Sequence, residues 1–281
     1  MKIILAKSAG FCFGVQRAVD MVKEQINIGK MPLYTYGPII HNEEVVRDFE
    51  SHGVQVMEED RMSDYAPGTV IIRSHGVARY VEESLNTLGF DIIDATCPFV
   101  KKIHKAVDEH SKSGEHIIII GNPDHPEVKG IVGWVNGNDY SVVPDRLTAE
   151  NLTVNSDKQI CIVSQTTFNH NKFEDIVEIL ESNYYNVNVM NTICNATLKR
   201  QTEAEELSKR ADVMIVIGDR HSSNSRKLYE ICEKRCPLTY FIETLDDLNL
   251  DVPKSVRLVG ITAGASTPQK IIEEVQKEWK N

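Results

Sequence analysis

The sequence lacks several features that would place it in a common class. It has no apolar run approaching ~18 residues, so no membrane-spanning helix is predicted. Its N-terminal stretch, MKIILA, is too short and wrongly flanked for a signal peptide. Basic residues are not in excess: the net charge is −10, which argues against nucleic acid or an anionic membrane as the main partner. The expected location is therefore cytoplasmic.

Common nucleotide-binding and zinc-binding motifs are missing as well. The chain has no Walker A sequence and no G-x-G-x-x-G, so nucleotide binding is not indicated. Cys12, Cys97 and Cys194 have none of the tight C-x₂₋₄-C neighbours that structural zinc sites use. In a reducing compartment, the six cysteines are interpreted as metal ligands, catalytic groups or core residues, and disulfides are not expected.

What the sequence does contain is a strand–cysteine–helix pattern that occurs three times. The copies are KIILAKSAGFCFGVQRAVDMVKE with Cys12, DIIDATCPFVKKIHKAVDE with Cys97, and NVNVMNTICNATLKRQTEAEELS with Cys194. Each thiol lies between an apolar strand and an amphipathic helix, where α/β folds carry functional groups. We therefore expect the three thiols to meet at one point.

Polar residues recur at matched offsets from these cysteines. A first set follows the preceding cysteine by 29, 28 and 28 residues: His41, His125 and Ser222. A second set follows by 63, 69 and 72 residues: His75, Thr166 and Ser266. Each of these residues comes at the end of a predicted strand, so the offsets indicate a true internal repeat.

The repeat predicts an α/β fold of three similar units with small, mainly parallel sheets around a pseudo-threefold axis. The predicted units are residues 13–96, residues 97–193, and residues 194–281 together with the N-terminal strand 1–12. The third copy is one strand short, while the strand Lys2–Ala6 precedes the first cysteine without a sheet of its own. We predict that this N-terminal strand completes the third sheet.

Three thiolates around an axis can hold a [4Fe–4S] cluster with one open iron, or a zinc ion completed by a histidine. The alternative is three buried cysteines that pack as small apolar residues, and their identical placement in three repeats argues against it. A helix N-terminus beside each thiol favours the thiolate. Cys161, Cys232 and Cys236 are assigned to the core, although C-x₃-C could bind a metal.

The strand ends carry groups that suit a phosphate or diphosphate, namely histidine nitrogens, hydroxyls, an amide and helix N-terminal N–H groups. The residues are His41, His75, His125, Ser222, Ser223, Asn224 and Ser266. The run SSNS before a helix is the strongest of these signals, and a plain N-cap is its alternative. Glu127, two residues after His125, is a candidate proton donor; its alternative is a solvated glutamate at a helix start.

The motifs GFCFGV, IIHN, RSHGV, DATCP, HPEV, SQTT, SSNS and TAGAS follow one another in this order over essentially the full chain. In this the sequence resembles the LytB family of 4-hydroxy-3-methylbut-2-enyl diphosphate reductases, which complete the methylerythritol phosphate route to isoprenoids. Phe13, directly after Cys12, and the pair Asn195-Ala196, directly after Cys194, vary within the motif run, and none of them is itself a proposed ligand.

The resemblance implies a [4Fe–4S] cluster on Cys12, Cys97 and Cys194, whose open iron binds the substrate hydroxyl. It implies reductive dehydroxylation to isopentenyl or dimethylallyl diphosphate, with electrons from a ferredoxin- or flavodoxin-type donor. Glu127 would supply protons, and Thr166 would position the hydroxyl or relay protons. The histidines and the Ser222–Asn224 and Ser266 groups would hold the diphosphate.

Two other functions are compatible with these residues. One is a non-redox hydro-lyase that uses the open iron only as a Lewis acid. The other is an iron–sulfur electron carrier or sensor, and the set of diphosphate-type donors argues against it because a carrier needs no pocket.

Overall fold

The described chain forms three parallel β-sheets of four strands each. The structure is a computed structural model that describes residues 1–155, 157–184, 186–248 and 255–278. In chain order the strands are β1 (Lys2–Leu5), β2 (Leu33–Tyr36), β3 (Val54–Met57), β4 (Thr69–Ile72), β5 (Asp91–Asp94), β6 (His116–Ile120), β7 (Tyr140–Val143), β8 (Ile160–Ser164), β9 (Val187–Val189), β10 (Val213–Ile217), β11 (Thr239–Ile242) and β12 (Leu258–Ala263).

The α-helices of the described residues alternate with these strands, except that the described residues between β3 and β4 and between β11 and β12 form only a short 3₁₀ helix. They are α1 (Phe13–Ile28), α2 (Glu43–Ser51), α3 (Arg79–Thr87), α4 (Pro98–Lys112), α5 (Pro126–Val132), α6 (Arg146–Glu150), α7 (His170–Asn183), α8 (Asn195–Ser208), α9 (Ser223–Glu233) and α10 (Gln269–Glu278).

All three sheets share one strand order. The first sheet runs β3-β2-β4-β5, and the second runs β7-β6-β8-β9. The third runs β11-β10-β12-β1, so the N-terminal strand takes the fourth place, with Lys2 paired to Leu258 and Leu5 to Ile261. The predicted α/β class with three similar units is confirmed, and so is the prediction that the N-terminal strand completes the third sheet.

Apolar side chains fill both faces of the inner strands. In the second sheet, Ile118 and Ile162 belong to the core on one face, while Ile117 and Cys161 belong to the core on the other. Successive residues of a strand point to opposite faces, so a strand covered by helices on both sides must be apolar throughout. The run His116–Ile120 is accordingly buried along its whole length.

The contacts of the chain divide it into two compact units. The first unit comprises Met1–Gln16, Ile40–Arg47 and Asn195–Asn281 and contains the third sheet. The second unit comprises Arg17–Ile39 and Asp48–Cys194 and contains the first and second sheets. The finer division at residues 13–96, 97–193 and 194–281 with 1–12, and the pseudo-threefold axis, stay predictions.

Two helix starts are set by local backbone conformation and capping. The connection after β7 contains α6, because Asp145 Oδ1 accepts a hydrogen bond from the N–H of Thr148 at 2.8 Å and caps a helical turn. Helix α3 begins at Arg79, because Ala78 is still extended.

Candidate functional site

Each cysteine of the repeat lies at the start of a helix. Cys97 is the N-cap of α4, and Cys12 and Cys194 come directly before α1 and α8. All three side chains are partly exposed, whereas Cys161, Cys232 and Cys236 are buried. Exposure at a helix N-terminus is the setting in which a thiol becomes a thiolate ligand.

The backbone places these three cysteines in the same local environment. The N–H of each cysteine donates to a carbonyl two residues past the end of the third strand of a sheet, that is, past β12, β4 or β8. The bonds are Cys12 to Ala265 at 3.3 Å, Cys97 to Ser74 at 3.0 Å and Cys194 to Thr166 at 3.0 Å. The three thiols therefore occupy equivalent positions in the repeat.

Two arginines that sequence reasoning missed hold the loops before two of the cysteines. Arg17 of α1 donates to the carbonyls of Thr96 and Asp94, both at 3.2 Å, just before Cys97. Arg200 of α8 is buried and donates to the carbonyl of Gly10 at 2.6 Å, two residues before Cys12. In both cases the helix that follows one cysteine holds the loop that leads to another.

A signal for these arginines is present in the sequence. Arg17 comes five residues after Cys12 and Arg200 six residues after Cys194, each in the second turn of a helix that starts beside the thiol. A buried guanidinium needs carbonyl acceptors, and a loop that exposes several backbone carbonyls provides them.

Glu127 is held by a dense set of hydrogen bonds within the second unit. Its side chain is 1% exposed. Its Oε1 accepts from the N–H of Thr166 at 2.5 Å, and its Oε2 accepts from the Thr166 hydroxyl at 2.7 Å. Because the carbonyl of Thr166 accepts from Cys194, one residue joins the buried carboxyl to the loop of a candidate ligand.

The imidazole of His125 adjoins this carboxyl group. Its Nδ1 accepts from the N–H of Glu127 at 3.1 Å and caps α5. A ring that accepts at Nδ1 is neutral and carries its proton on Nε2, so it presents an N–H donor. The His75 ring packs edge-on against it, with centroids 5.4 Å apart. The structure thus brings four of the predicted residues together: His75, His125, Glu127 and Thr166.

The loops of the third sheet carry neutral polar groups. Ser222 caps α9 by accepting from the N–H of Ser225 at 3.4 Å, and Ser223 and Asn224 form the first turn. Gly218 and Gly264 follow β10 and β12, and a Cβ on either would overlap the Ser225 side chain. The two loops therefore approach closely, and only glycine fits at these two positions.

Several of these groups are buried without a partner. In the part of the chain that the structure describes, both amide atoms of Asn224 and the hydroxyl of Ser266 make no hydrogen bond. Both residues are more than nine-tenths buried. Buried polar atoms are bonded in the great majority of proteins, so orphaned ones in a loop cluster indicate a missing polar ligand or water.

The strand ends refine the predicted repeat. His41, His125 and Ser222 each lie five residues after the end of β2, β6 and β10, so this set matches in the structure. In the other set, His75 and Ser266 lie three residues past their strands, while Thr166 lies two past β8. An offset counted from a cysteine includes the lengths of the loops in between. It therefore does not reveal that Thr166 lies one residue nearer to the end of its strand than His75 and Ser266 do.

The remaining cysteines have a different chemistry. Burial raises the pKa of Cys161 to about 12, and the charge of Glu115 adds to the effect. Burial, with a smaller contribution from Cys236, raises the pKa of Cys232 to about 12 as well. These two thiols stay protonated near neutral pH as long as no metal ion displaces the proton, and Cys232 packs in a core of the third sheet.

A family model described as LytB protein matches residues 3–280. The chain belongs to the LytB family. The predicted family is therefore confirmed. Within the described residues, none of the helices combines the length and the apolar character needed to cross a bilayer.

Relatives of this LytB chain carry a consistent name. A protein of Caldanaerobacter subterraneus, called 4-hydroxy-3-methylbut-2-enyl diphosphate reductase, is 48% identical over 283 residues, which cover 100% of this chain and 97% of that one. A Clostridioides difficile protein of the same name is 43% identical and covers 98% of both chains. The predicted enzyme class, an oxidoreductase, is confirmed by these relatives.

Solved structures agree with the fold. The E-1-hydroxy-2-methyl-but-2-enyl-4-diphosphate reductase of Plasmodium falciparum superimposes with a TM-score of 0.94 at 29% identity, over 99% of this chain and 88% of that one. An (E)-4-hydroxy-3-methyl-but-2-enyl diphosphate reductase, described as the terminal enzyme of the non-mevalonate pathway, gives 0.71 at 40% identity, over 99% and 98%.

Proposed function

We propose that this protein reduces (E)-4-hydroxy-3-methylbut-2-enyl diphosphate to isopentenyl and dimethylallyl diphosphate, the last step of the methylerythritol phosphate route. The observation that carries the proposal is the buried Glu127–Thr166 pair, which adjoins the loop of Cys194. The names of the relatives supply the substrate. The reaction removes the hydroxyl as water and consumes two electrons and two protons.

The donor set fits an iron–sulfur cluster. Cys12, Cys97 and Cys194 offer soft sulfur ligands at partly exposed helix starts, and the helix dipole stabilises a thiolate there. We propose that they hold a [4Fe–4S] cluster. When bound, such a cluster supplies electrons and, with three cysteine ligands, one open iron that acts as a Lewis acid.

Glu127 is the proposed proton donor. A carboxyl group transfers a proton efficiently when its position is fixed beforehand, and two hydrogen bonds from Thr166 fix both of its oxygens. The same contacts leave the Thr166 hydroxyl next to Glu127 Oε2, where it can hand a proton on or orient the substrate hydroxyl. Burial of the pair excludes water, which would otherwise compete for the proton.

The diphosphate is proposed to bind to neutral donors. In the second unit, His125 presents Nε2–H beside His75. In the other unit, His41 precedes the N-cap of α2, and the first turn of α9 offers N–H groups to an anion. The orphaned atoms of Asn224 and Ser266 support this assignment, and Ser222 and Ser223 belong to the same loop.

We also propose a ferredoxin- or flavodoxin-type electron donor and a cytoplasmic location. The donor is suggested by the family resemblance. The location is supported by the cysteines, because all six are free thiols, as expected in a reducing compartment.

Turnover under anaerobic conditions tests the reaction. The protein, given the allylic diphosphate and a strong one-electron reductant, should consume two electrons for each product molecule. Product that forms without any reductant would instead favour a hydro-lyase, and reduction without any product would favour an electron carrier.

Iron content tests the cofactor separately. Cys97→Ser should lose most of the bound iron and its visible absorption, and Cys12→Ser and Cys194→Ser should do the same. Cys232→Ala is the matched control, because its buried thiol lies away from any helix start and should leave iron unchanged. Full iron content in all three serine variants would reject the proposed ligands.

A further inference from the structure

A second group of potential metal ligands lies within the second unit, away from the cysteines of the repeat. It comprises His110 in the last turn of α4, Glu115 just before β6 and Cys161 in β8. One ligand atom from each residue lies within 4.8 Å of the other two. His110 Nδ1 is 2.8 Å from Glu115 Oε1, and the sulfur of Met190 is 3.9 Å from the Cys161 sulfur.

From this geometry we propose that His110, Glu115 and Cys161 form a zinc site. Imidazole nitrogen, carboxylate oxygen and thiolate sulfur are the three ligand types that zinc accepts in proteins. The thiolate disfavours magnesium and calcium, which bind oxygen, and the carboxylate disfavours copper(I), which prefers sulfur. His110 is partly exposed, so water can reach the fourth position.

An orphaned oxygen points independently to a ligand at this place. Glu115 Oε2 is buried and has no hydrogen-bond partner, and the residue is 8% exposed. A buried carboxylate oxygen without a donor is costly, and a cation provides what the surrounding side chains do not. Burial, and to a smaller degree the charge of Glu115, raises the pKa of the Cys161 thiol, so Cys161 becomes a second anionic ligand only when a cation takes the place of its proton.

The binding step is balanced in charge and protons. Zinc replaces the thiol proton of Cys161, that proton goes to the buffer, and His110 binds as the neutral ring. Glu115 and the Cys161 thiolate then neutralise the two charges of the ion. Binding should therefore release about one proton per zinc and weaken as the pH falls.

The site would act as a clip at the end of the second sheet opposite Glu127. Glu115 precedes β6, whereas the loop with His125 and Glu127 follows it. Zinc would tie the last turn of α4 to β6 and β8 without touching the residues proposed for catalysis. This inference does not depend on the proposed function.

Equilibrium dialysis of the anaerobically isolated protein against zinc tests the site, with zinc and iron measured together. We expect one zinc per chain, with one sulfur neighbour at about 2.3 Å and nitrogen or oxygen at about 2.0 Å in zinc-edge X-ray absorption. Cys161→Ser and His110→Gln should each weaken binding by at least ~10-fold, while Cys232→Ser, a matched buried thiol, should not.

Each alternative result decides against the site. A shell of three sulfurs would place zinc on the cysteines of the repeat. Absence of zinc binding, or binding by both ligand variants as tight as that of the unaltered protein, would overturn the proposal. His110→Gln keeps the test decisive if Cys161→Ser fails to fold, because His110 is partly exposed and its replacement opens no cavity in the core.

Discussion

The second and third sheets have the same strand order, and in both a loop carries a polar residue five positions past an equivalent strand. The buried polar side chains of these loops nevertheless differ in whether they have hydrogen-bond partners. Beyond the second sheet, both oxygens of Glu127 accept hydrogen bonds from Thr166. Beyond the third sheet, Asn224 and Ser266 are buried, and their side-chain polar atoms have no partner among the described residues.

The difference separates two tasks that one scaffold can perform. A carboxyl group whose partners are all in place is held rigidly, which suits proton transfer at a fixed position. Neutral groups without partners gain their hydrogen bonds only when a polar ligand arrives, which suits binding. The following variants test this division, from the largest expected effect to the smallest.

Glu127→Gln should lower turnover by at least ~100-fold, because a carboxamide is far too weakly acidic to transfer a proton. The fold should persist: glutamine can accept from the Thr166 N–H and donate to the Thr166 hydroxyl, which is able to accept. Steady-state rates with reductant and substrate measure the effect, and iron content and thermal unfolding serve as controls. Unchanged turnover would remove Glu127 from the chemistry.

Thr166→Val should lower turnover by about tenfold, because Glu127 Oε2 loses its donor while Oε1 keeps the backbone N–H. Thr166→Ser is the matched control and should restore most of the rate. If valine and serine behave alike, the hydroxyl has no part in positioning the carboxyl group.

Ser266→Ala should raise the KM for the diphosphate substrate about fivefold and leave kcat nearly unchanged. Without substrate, its free energy of unfolding should not fall, because the lost hydroxyl had no partner. Ser208→Ala is the contrasting control: its buried hydroxyl donates to the Glu205 carbonyl at 2.9 Å, so that variant should lose stability and keep its KM. A Ser266→Ala protein with reduced stability and normal KM would reverse the interpretation.

Acid should destabilise the fold mainly through a buried histidine of α4, a helix that packs on the second sheet. His104 of α4 is buried and stacks on Trp134 at 5.2 Å between ring centroids. Burial lowers the pKa of His104 to about 4; Asp94 opposes the shift and Lys101 adds to it. The only histidine between residues 195 and 278, His221, is exposed.

The direction of this pH dependence follows from the proton that His104 takes up on unfolding. Below pH 6.5 the unfolded chain protonates His104 while the folded chain does not, so stability falls as the pH drops from 6.5 towards 4. At pH 6 the loss should be about 1 kcal/mol relative to pH 7.5. His104→Phe should flatten this part of the curve in urea unfolding, and an equally steep curve would assign the proton uptake elsewhere.

Much of the fold followed from pattern alone. The spacing of Cys12, Cys97 and Cys194 and the strand left over at Lys2 predicted three sheets and the place of the N-terminal strand. Loop lengths were harder to predict from the sequence. The cysteine offsets aligned Thr166 with His75 and Ser266, although Thr166 lies one position nearer to the end of its strand. The short helix α6 was missed because its capping aspartate lies within a polar stretch without apolar periodicity.

The sequence by itself determined the α/β class, the internal repeat and the loop positions that carry polar residues, because periodicity and strand ends depend on neighbours along the chain. Only the tertiary structure decided how those residues are partnered. Glu127 meets Thr166, 39 residues away, while Asn224 meets no donor or acceptor among the described residues. Partners so far apart in sequence are brought together by strand register and helix placement. A shift of one residue in the register would give these side chains different partners.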